Sequence, residues 1–342
     1  MPKFLVGTGI HMQHTARPST VYGPVPSWRL GRSLGVDPIL PPKACTFDCI
    51  YCQLGRTKRR VSVQEWQVSE VDVDRVIGDL EKALARIPLR SIDYITFSGS
   101  GEPTLNPRLG DMIRAVKDRA GGVPVAVLTN ASLVYLNEVR KNLAEADLVA
   151  AKLDAPNEPL FQTINRPISG IHLEAIVEGL CRLRSEFAGC LALQVMLLRT
   201  KDGRKLNSDP SALGGLVELA RRIGPDEVQL NTPTRPPSEA YVVPLTRDEM
   251  NETKLLFAEA GLCAVSVYEA GAPARVEASH ASLEQDVLLL LRRRPCRVLD
   301  ISRALGISEE DALQVLERLA SSGAVSVRVF RGERYYRVVG GS

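Results

Sequence analysis

Between about residues 37 and 270, apolar runs of strand length alternate with stretches of helical period. Strands are predicted at 93–97, 123–128, 147–153, 191–198, 227–230 and 264–268. Helices are predicted at 71–85, 107–119, 136–145, 171–186 and 210–222. In the first of these, Val73, Val76, Ile77, Leu80 and Leu84 share one face at the three-and-four spacing of an amphipathic helix. Such alternation implies a parallel sheet, because parallel neighbours need a crossover long enough to hold a helix. A partial α/β barrel of the (β/α)6 type fits, with a doubly wound open sheet as the competing architecture. Either one places chemistry at the carboxyl ends of its strands.

The flanks read differently. Residues 1–36 are rich in Gly, Pro and Ser and form an irregular lead-in, followed by a first strand near 37–40. Residues 271–281 mix Gly, Pro, Ala and charges and read as a linker. Residues 282–342 read as a small C-terminal winged helix-turn-helix domain. Its helices are predicted at 283–293, at 298–305, and from an N-cap at Ser308 to about 321. Strands at 325–330 and 334–338 flank Arg331-Gly332-Glu333, a hairpin signal. A chain of 342 residues can hold one large core and this second unit. Its 44% hydrophobic and 24% charged residues are those of a globular protein, and a net charge of +3 does not announce nucleic acid binding. The start shows no basic-then-apolar leader pattern, and no apolar run approaches bilayer length. A cytoplasmic protein with no membrane contact is expected.

The seven cysteines divide unevenly. Cys181, Cys190, Cys263 and Cys296 are scattered and read as small buried apolar residues. An odd count with one tight cluster argues against a disulfide framework. Cys45, Cys49 and Cys52 form C-x3-C-x2-C on one loop. Thiolates select zinc, copper(I) or iron–sulfur clusters. Structural zinc sites and electron-transfer clusters normally take four ligands. Three on one loop leave a metal corner open, which is what a catalytic site needs. A zinc site would have to recruit His11, His14, His172 or His280, and none lies at short ligand spacing from the loop. A second loop, Ser98-Gly99-Ser100-Gly101-Glu102-Pro103, follows the strand at 93–97, where glycines let backbone approach a ligand closely.

On these two loops the chain resembles the radical S-adenosylmethionine (radical SAM) superfamily. The three cysteines match its motif without a gap, and Ser100-Gly101-Glu102-Pro103 resembles its Gly-Gly-Glu-Pro element with serine in place of the first glycine. The resemblance spans roughly residues 37 to 270. The stretch from Tyr22 through Cys52 to Thr57 is similar to a branch of iron–sulfur oxidoreductases allied to the wyosine-base synthases of tRNA. The resemblance implies a [4Fe–4S] cluster on Cys45, Cys49 and Cys52, its fourth iron chelated by the amino and carboxylate groups of S-adenosylmethionine (SAM). It implies Tyr51 near the adenine, and Ser100, Gly101, Glu102 and Pro103 at the methionine amino group. It implies Asn130, Lys152, Asp154, Gln194 and Met196 at strand ends around the ribose and carboxylate. A family ribose motif ending in glutamate after the fifth strand is not evident. The implied activity is reductive cleavage of SAM to a 5′-deoxyadenosyl radical that takes hydrogen from an unidentified substrate. The alternatives are tRNA base modification, activation of a partner protein, and an iron–sulfur regulator that binds nucleic acid.

Arg56, Lys58, Arg59 and Arg60 follow the last cysteine, as a solvated loop or as a docking surface for an acidic low-potential electron donor, a flavodoxin or ferredoxin. Residues 161–167 read as a helix start or as a substrate contact above the fourth strand. In the C-terminal unit, Arg328, Arg331, Arg334 and Arg337 would carry an RNA or DNA contact. Yet Glu309, Glu310 and Asp311 open the recognition helix, where acidic groups repel phosphate. A protein contact or a cap over the substrate is the other expectation.

Overall fold

The computed structural model describes residues 18–67, 69–269 and 282–339. The predicted linker, most of the far N-terminal lead-in, His11, His14 and His280 lie outside the described residues. Eight strands form one sheet: β1 (Val21–Ser27), β2 (Gly31–Val36), β3 (Tyr94–Phe97), β4 (Val125–Thr129), β5 (Leu148–Lys152), β6 (Cys190–Met196), β7 (Glu227–Asn231) and β8 (Ala264–Ser266). Their order in space is their order in sequence. Strands β2 to β8 run parallel, and β1 joins β2 antiparallel at the edge. A doubly wound sheet reverses strand order at a switch point. No reversal occurs along this sheet, so the fold is a singly wound α/β half-barrel.

Two boundaries differ from the sequence reading. Residues 21–36 are not an irregular lead-in but the hairpin β1–β2, and the first parallel strand ends at Val36, before the expected 37–40. The sheet therefore gains the antiparallel β1 at its edge, and its first parallel strand lies earlier in the chain than expected.

Around the sheet lie α1 (Val73–Leu84), α2 (Leu109–Lys117), α3 (Asn137–Leu143), α4 (Glu158–Ile164), α5 (Leu173–Glu186), α6 (Pro210–Ile223) and α7 (Arg247–Glu259). The α1 helix starts where the Asp72 carboxylate accepts from Arg75 N, and it buries Val76, Ile77, Leu80 and Ala83. These meet Val127, Val149, Leu191, Leu193, Val228 and Leu230 in one large core. Each such side chain contributes about 1.5–3 kcal/mol on burial. Alternate residues of the same strands face the other way, and there Ala126, Ala150 and Ala192 leave room.

The C-terminal unit has α8 (Leu283–Arg293), α9 (Val298–Leu305), α10 (Glu309–Ser321) and an antiparallel hairpin, β9 (Val325–Phe330) with β10 (Glu333–Val338). Ser308 caps α10 by accepting from Asp311 N at 3.0 Å. The unit's core gathers Val287, Leu290, Ile301, Val315, Leu316 and Tyr336, and Tyr22 and Val25 of β1 join it. The sheet edge is thus covered rather than exposed.

Asp300 holds the unit to the half-barrel, 3.8 Å from Arg235 and 3.3 Å from Arg297. Burial raises its pKa, but Arg235, Arg294 and Arg297 outweigh that and hold it down to about 2. A depressed carboxyl stabilises above its unfolded pKa, here about pH 4, and the contribution of about 2–3 kcal/mol is lost as pH falls through about 2. The loss of thermal stability in Asp300→Asn is therefore expected to be full at neutral pH and to shrink toward pH 2. A stability gap that does not change with pH sinks this assignment.

Candidate cluster and cofactor site

The loop after β2 carries the three cysteines. It is closed on itself by Arg59 N donating to Lys43 O at 3.0 Å and Val61 N to Cys45 O at 3.2 Å. The turn after β3 locks against it: Ala44 N donates to Ser100 O, and Glu102 N donates to Ala44 O, both at 3.1 Å. Only glycine fits between them, since a Cβ at Gly101 would stand 1.7 Å from the Ala44 carbonyl oxygen. The loop and turn that the sequence singled out are therefore one bonded unit.

Cys45 and Cys49 are buried and Cys52 is half-buried. Burial pushes the Cys45 thiol up to about 11 and the Cys49 thiol up to about 12. Metal binding must release those protons. Donors already surround the sulfurs. Lys43 Nζ lies 3.2 Å from Cys52 Sγ, Asn130 Nδ2 lies 3.4 Å from Cys45 Sγ, and Asn165 Nδ2 lies 3.6 Å from Cys49 Sγ. Burial presses the Lys43 pKa down, but the three cysteines reverse that and raise it. A buried cation and amide donors facing sulfur suit an anionic iron–sulfur cluster, whose potential is set by charge and hydrogen bonds to sulfur. Among the described residues, no three His, Cys, Asp or Glu side chains converge on a single ion position.

The sulfurs open onto a cavity of about 340 Å³ at the carboxyl ends of the strands. Of the residues expected around SAM, Tyr51, Gly101, Glu102, Asn130, Lys152, Gln194 and Met196 line it, whereas Ser100, Pro103 and Asp154 are not among the lining residues. Ser100 Oγ donates to Asp37 at 2.7 Å, and Ser100 N donates to the same carboxylate at 3.2 Å. Pro103 opens a short buried turn of 3-10 helix. Asp154 accepts from Tyr51 Oη, from Asn165 Nδ2 at 2.8 Å and from Met196 N at 2.9 Å. It thereby ties the cysteine loop to β6.

Glu102 lines the cavity with its carboxylate already bonded to the protein. Its Oε1 accepts from Thr104 N and from the hydroxyls of Thr104 and Thr129, and its Oε2 accepts from Asn130 N at 2.6 Å. Burial raises its pKa against those bonds. It couples the ends of β3 and β4. Lys152 Nζ donates to Gln194 Oε1 at 2.9 Å and sits 5.0 Å over the Tyr51 ring. That leaves Gln194 Nε2 buried with no partner among the described residues.

Residues 161–167 close α4 rather than start a helix, and they back the cysteine loop. Asp48 N donates to Asn165 O and Ile50 N to Ile164 O, both at 3.0 Å, and Phe47 meets Phe161 edge-on at 5.4 Å. Arg56 pairs with Asp48 at 2.8 Å and with Glu239, and Arg60 donates to Arg166 O at 2.7 Å, so the basic run is partly neutralised. Of the four scattered cysteines only Cys296 is fully buried; Cys181 and Cys190 are half-buried and Cys263 is exposed, contrary to expectation. Lys43 and Asn165 were missed as contacts to sulfur. The lysine adjoins the motif in sequence, which is a signal; the asparagine comes from 116 residues away from Cys49 and gives none.

Residues 39–203 match the family model of the Radical SAM superfamily. A UPF0026 protein of Synechocystis sp. is 42% identical over 63% of this chain and 76% of its own length. A protein named GTPase Obg in Brachyspira hyodysenteriae is 35% identical over 93% of this chain, which spans only 45% of that relative. A solved radical SAM methyltransferase from Sphaerobacter thermophilus is similar at a TM-score of 0.47 and 20% identity, over 68% of this chain and 65% of that one. The molecule is a radical SAM enzyme, a class whose cofactors are a [4Fe–4S] cluster and SAM. Within that class, the chain belongs to the UPF0026 family. No described helix is long and apolar enough to cross a membrane.

Proposed function

We propose that Cys45, Cys49 and Cys52 hold three irons of the cluster, and that SAM binds in the cavity they open onto. The observation that carries this is the shared cavity: three sulfurs and Lys43 from one loop, with Asn130, Lys152, Gln194 and Met196 from successive strand ends. Lys43 balances the charge of the thiolates. Gln194 Nε2 and Lys152 Nζ offer donors for the hydroxyls and carboxylate of SAM. Bound there, the cluster and SAM would supply the reductive chemistry of hydrogen abstraction. The chain's own part is orientation and exclusion of water, for which the C-terminal unit is placed: Tyr335 Oη donates to Thr234 O at 2.9 Å, Arg328 to Pro237 O at 3.1 Å, and Arg337 to Leu54 O. Anaerobic protein reconstituted with iron and sulfide, then reduced with dithionite in the presence of SAM, is expected to release 5′-deoxyadenosine. Zinc-loaded protein, or a cluster whose EPR spectrum ignores SAM, overturns the reading.

We read residues 282–339 as a winged helix, on the order of three helices and a hairpin, with capping as its first role. The exposed guanidiniums of Arg331 and Arg334 favour an RNA contact as a second reading; salt-insensitive or absent binding of a tRNA pool rejects it. A low-potential acidic donor is proposed to dock on Lys58 and Arg59, both exposed. In Lys58→Glu/Arg59→Glu, cluster reduction by flavodoxin is expected to slow about tenfold at low salt, with dithionite reduction unchanged. Equal slowing with both reductants removes the docking role.

A further inference from the structure

The mouth of the half-barrel is ringed by guanidiniums from three parts of the chain. Arg29 sits on the turn joining β1 to β2, Arg235 on the loop after β7, and Arg293 and Arg294 at the end of α8. All four line the cavity that holds the cysteines. Buried cations normally come with counter-charge. Arg293 has Asp37 at 3.2 Å, and Arg235 shares Asp300 with Arg297. Arg29 and Arg294 have no ion pair within 4.0 Å among the described residues; their nearest opposite charges, Glu227 and Asp300, act only at longer range. Arg29 lies 5.3 Å from the centre of the Trp28 ring, and Arg294 Nη1 donates to Pro26 O at 3.4 Å. Beyond that, Arg29 Nε and Arg294 Nε and Nη2 are shut from solvent with no hydrogen-bond partner among the described residues. Burial and then the nearby charge of Arg235 press the Arg29 pKa down to about 10, against the opposing charge of Glu227. Orphaned buried donors are rare and costly. Donors of one sign gathered at the substrate end of a catalytic cavity are what an oxyanion requires.

We propose that Arg29 and Arg294, assisted by Arg235, bind a phosphoryl group of the substrate, so that the C-terminal unit supplies part of the substrate site. This rests on the radical SAM reading of the same cavity. A single guanidinium satisfies a carboxylate by one bidentate pair. Several guanidiniums with unmatched donors fit a group of about two charges and three terminal oxygens.

The test uses anaerobically reconstituted holoenzyme and calorimetric titration with inorganic phosphate, with succinate as the carboxylate comparison. Saturable phosphate binding is expected, and it is expected to weaken about tenfold or more in Arg29→Gln/Arg294→Gln. Arg294→Lys, which keeps the charge but not the fork, is expected to weaken it less. Absence of saturable phosphate binding by the unaltered enzyme overturns the proposal without reference to any variant. Equal binding of succinate overturns the phosphoryl assignment. Loss of SAM affinity in the double variant, read from the SAM-induced change in the EPR spectrum, would place these guanidiniums on SAM and overturn it too. Cluster content and 5′-deoxyadenosine release by the unaltered enzyme report separately on the radical SAM reading. Phosphate binding by a protein that fails those two readouts would keep the anion site and remove the chemistry.

Discussion

Replacing Cys49 with alanine is expected to abolish 5′-deoxyadenosine formation while the half-barrel stays folded. The argument is one of ligand count. On the proposed assignment, three sulfurs would hold the cluster with a corner open, and a loop with two would bind it weakly. The folding cost is small by comparison. The Cys49 side chain is compact, and its removal deletes one buried sulfur, about 1 kcal/mol. The loop keeps its other ties, including Ile50 N to Ile164 O and Asp48 N to Asn165 O, both at 3.0 Å. Iron and sulfide content after reconstitution, far-ultraviolet circular dichroism and chromatography of the products check the three parts of the expectation. Cys181→Ala is the matched control, since Cys181 is half-buried on α5, remote in sequence from the loop, and its substitution is expected to change none of them. Turnover by Cys49→Ala at the rate of the unaltered enzyme would remove the cysteine from the site.

The sequence made some of this legible for physical reasons. Strands β3 to β8 announce themselves because both faces are covered, so the chain must spell apolar runs. The cysteine loop and the turn at Gly101 announce themselves because thiolate spacing and close backbone approach tolerate few residues. The hairpin β1–β2 was hidden by its composition. Pro24 and Pro26 read as breakers, yet β1 is an edge strand, where a missing N–H is tolerated. Gly35 weakens β2 on paper, but the Tyr22 ring packs where its Cβ would be, 2.2 Å from the nearest ring atom. Helix α7 was hidden by weak amphipathicity, burying only Met250, Thr253 and Phe257. The capping box of Thr246 and Glu249 was the available signal. What no pattern could disclose was the docking of the C-terminal unit on the β1–β2 end, because its contacts to Ser19, Pro26 and Asp37 join groups more than 250 residues apart.

The strongest of those contacts supports the other large expectation: Arg293→Met is expected to destabilise the protein by about 3–5 kcal/mol. Arg293 Nε meets Asp37 Oδ2 at 3.2 Å with both side chains essentially inaccessible, at 1% and 0%. The guanidinium also donates to Ser19 O at 2.7 Å and covers the Tyr22 ring at 5.0 Å. Methionine replaces the packing but strands the carboxylate. A buried pair contributes little net stability against an apolar replacement of both partners, whereas removing one partner leaves an uncompensated charge. Asp37→Asn/Arg293→Met is therefore expected to recover part of the loss, giving a coupling of about 1–3 kcal/mol in a double-mutant cycle. The consequence reaches the cofactor turn, because Asp37 accepts from both the amide and the hydroxyl of Ser100, and Ser100 O holds Ala44 N beside Cys45. In the single variant, cluster loading is expected to fall together with stability, since one carboxylate serves both the interface and the turn. Denaturant unfolding and iron content, measured on the same preparations, decide the matter. Additive single and double variants, or full loading in a destabilised Arg293→Met, would separate the C-terminal interface from the cysteine loop.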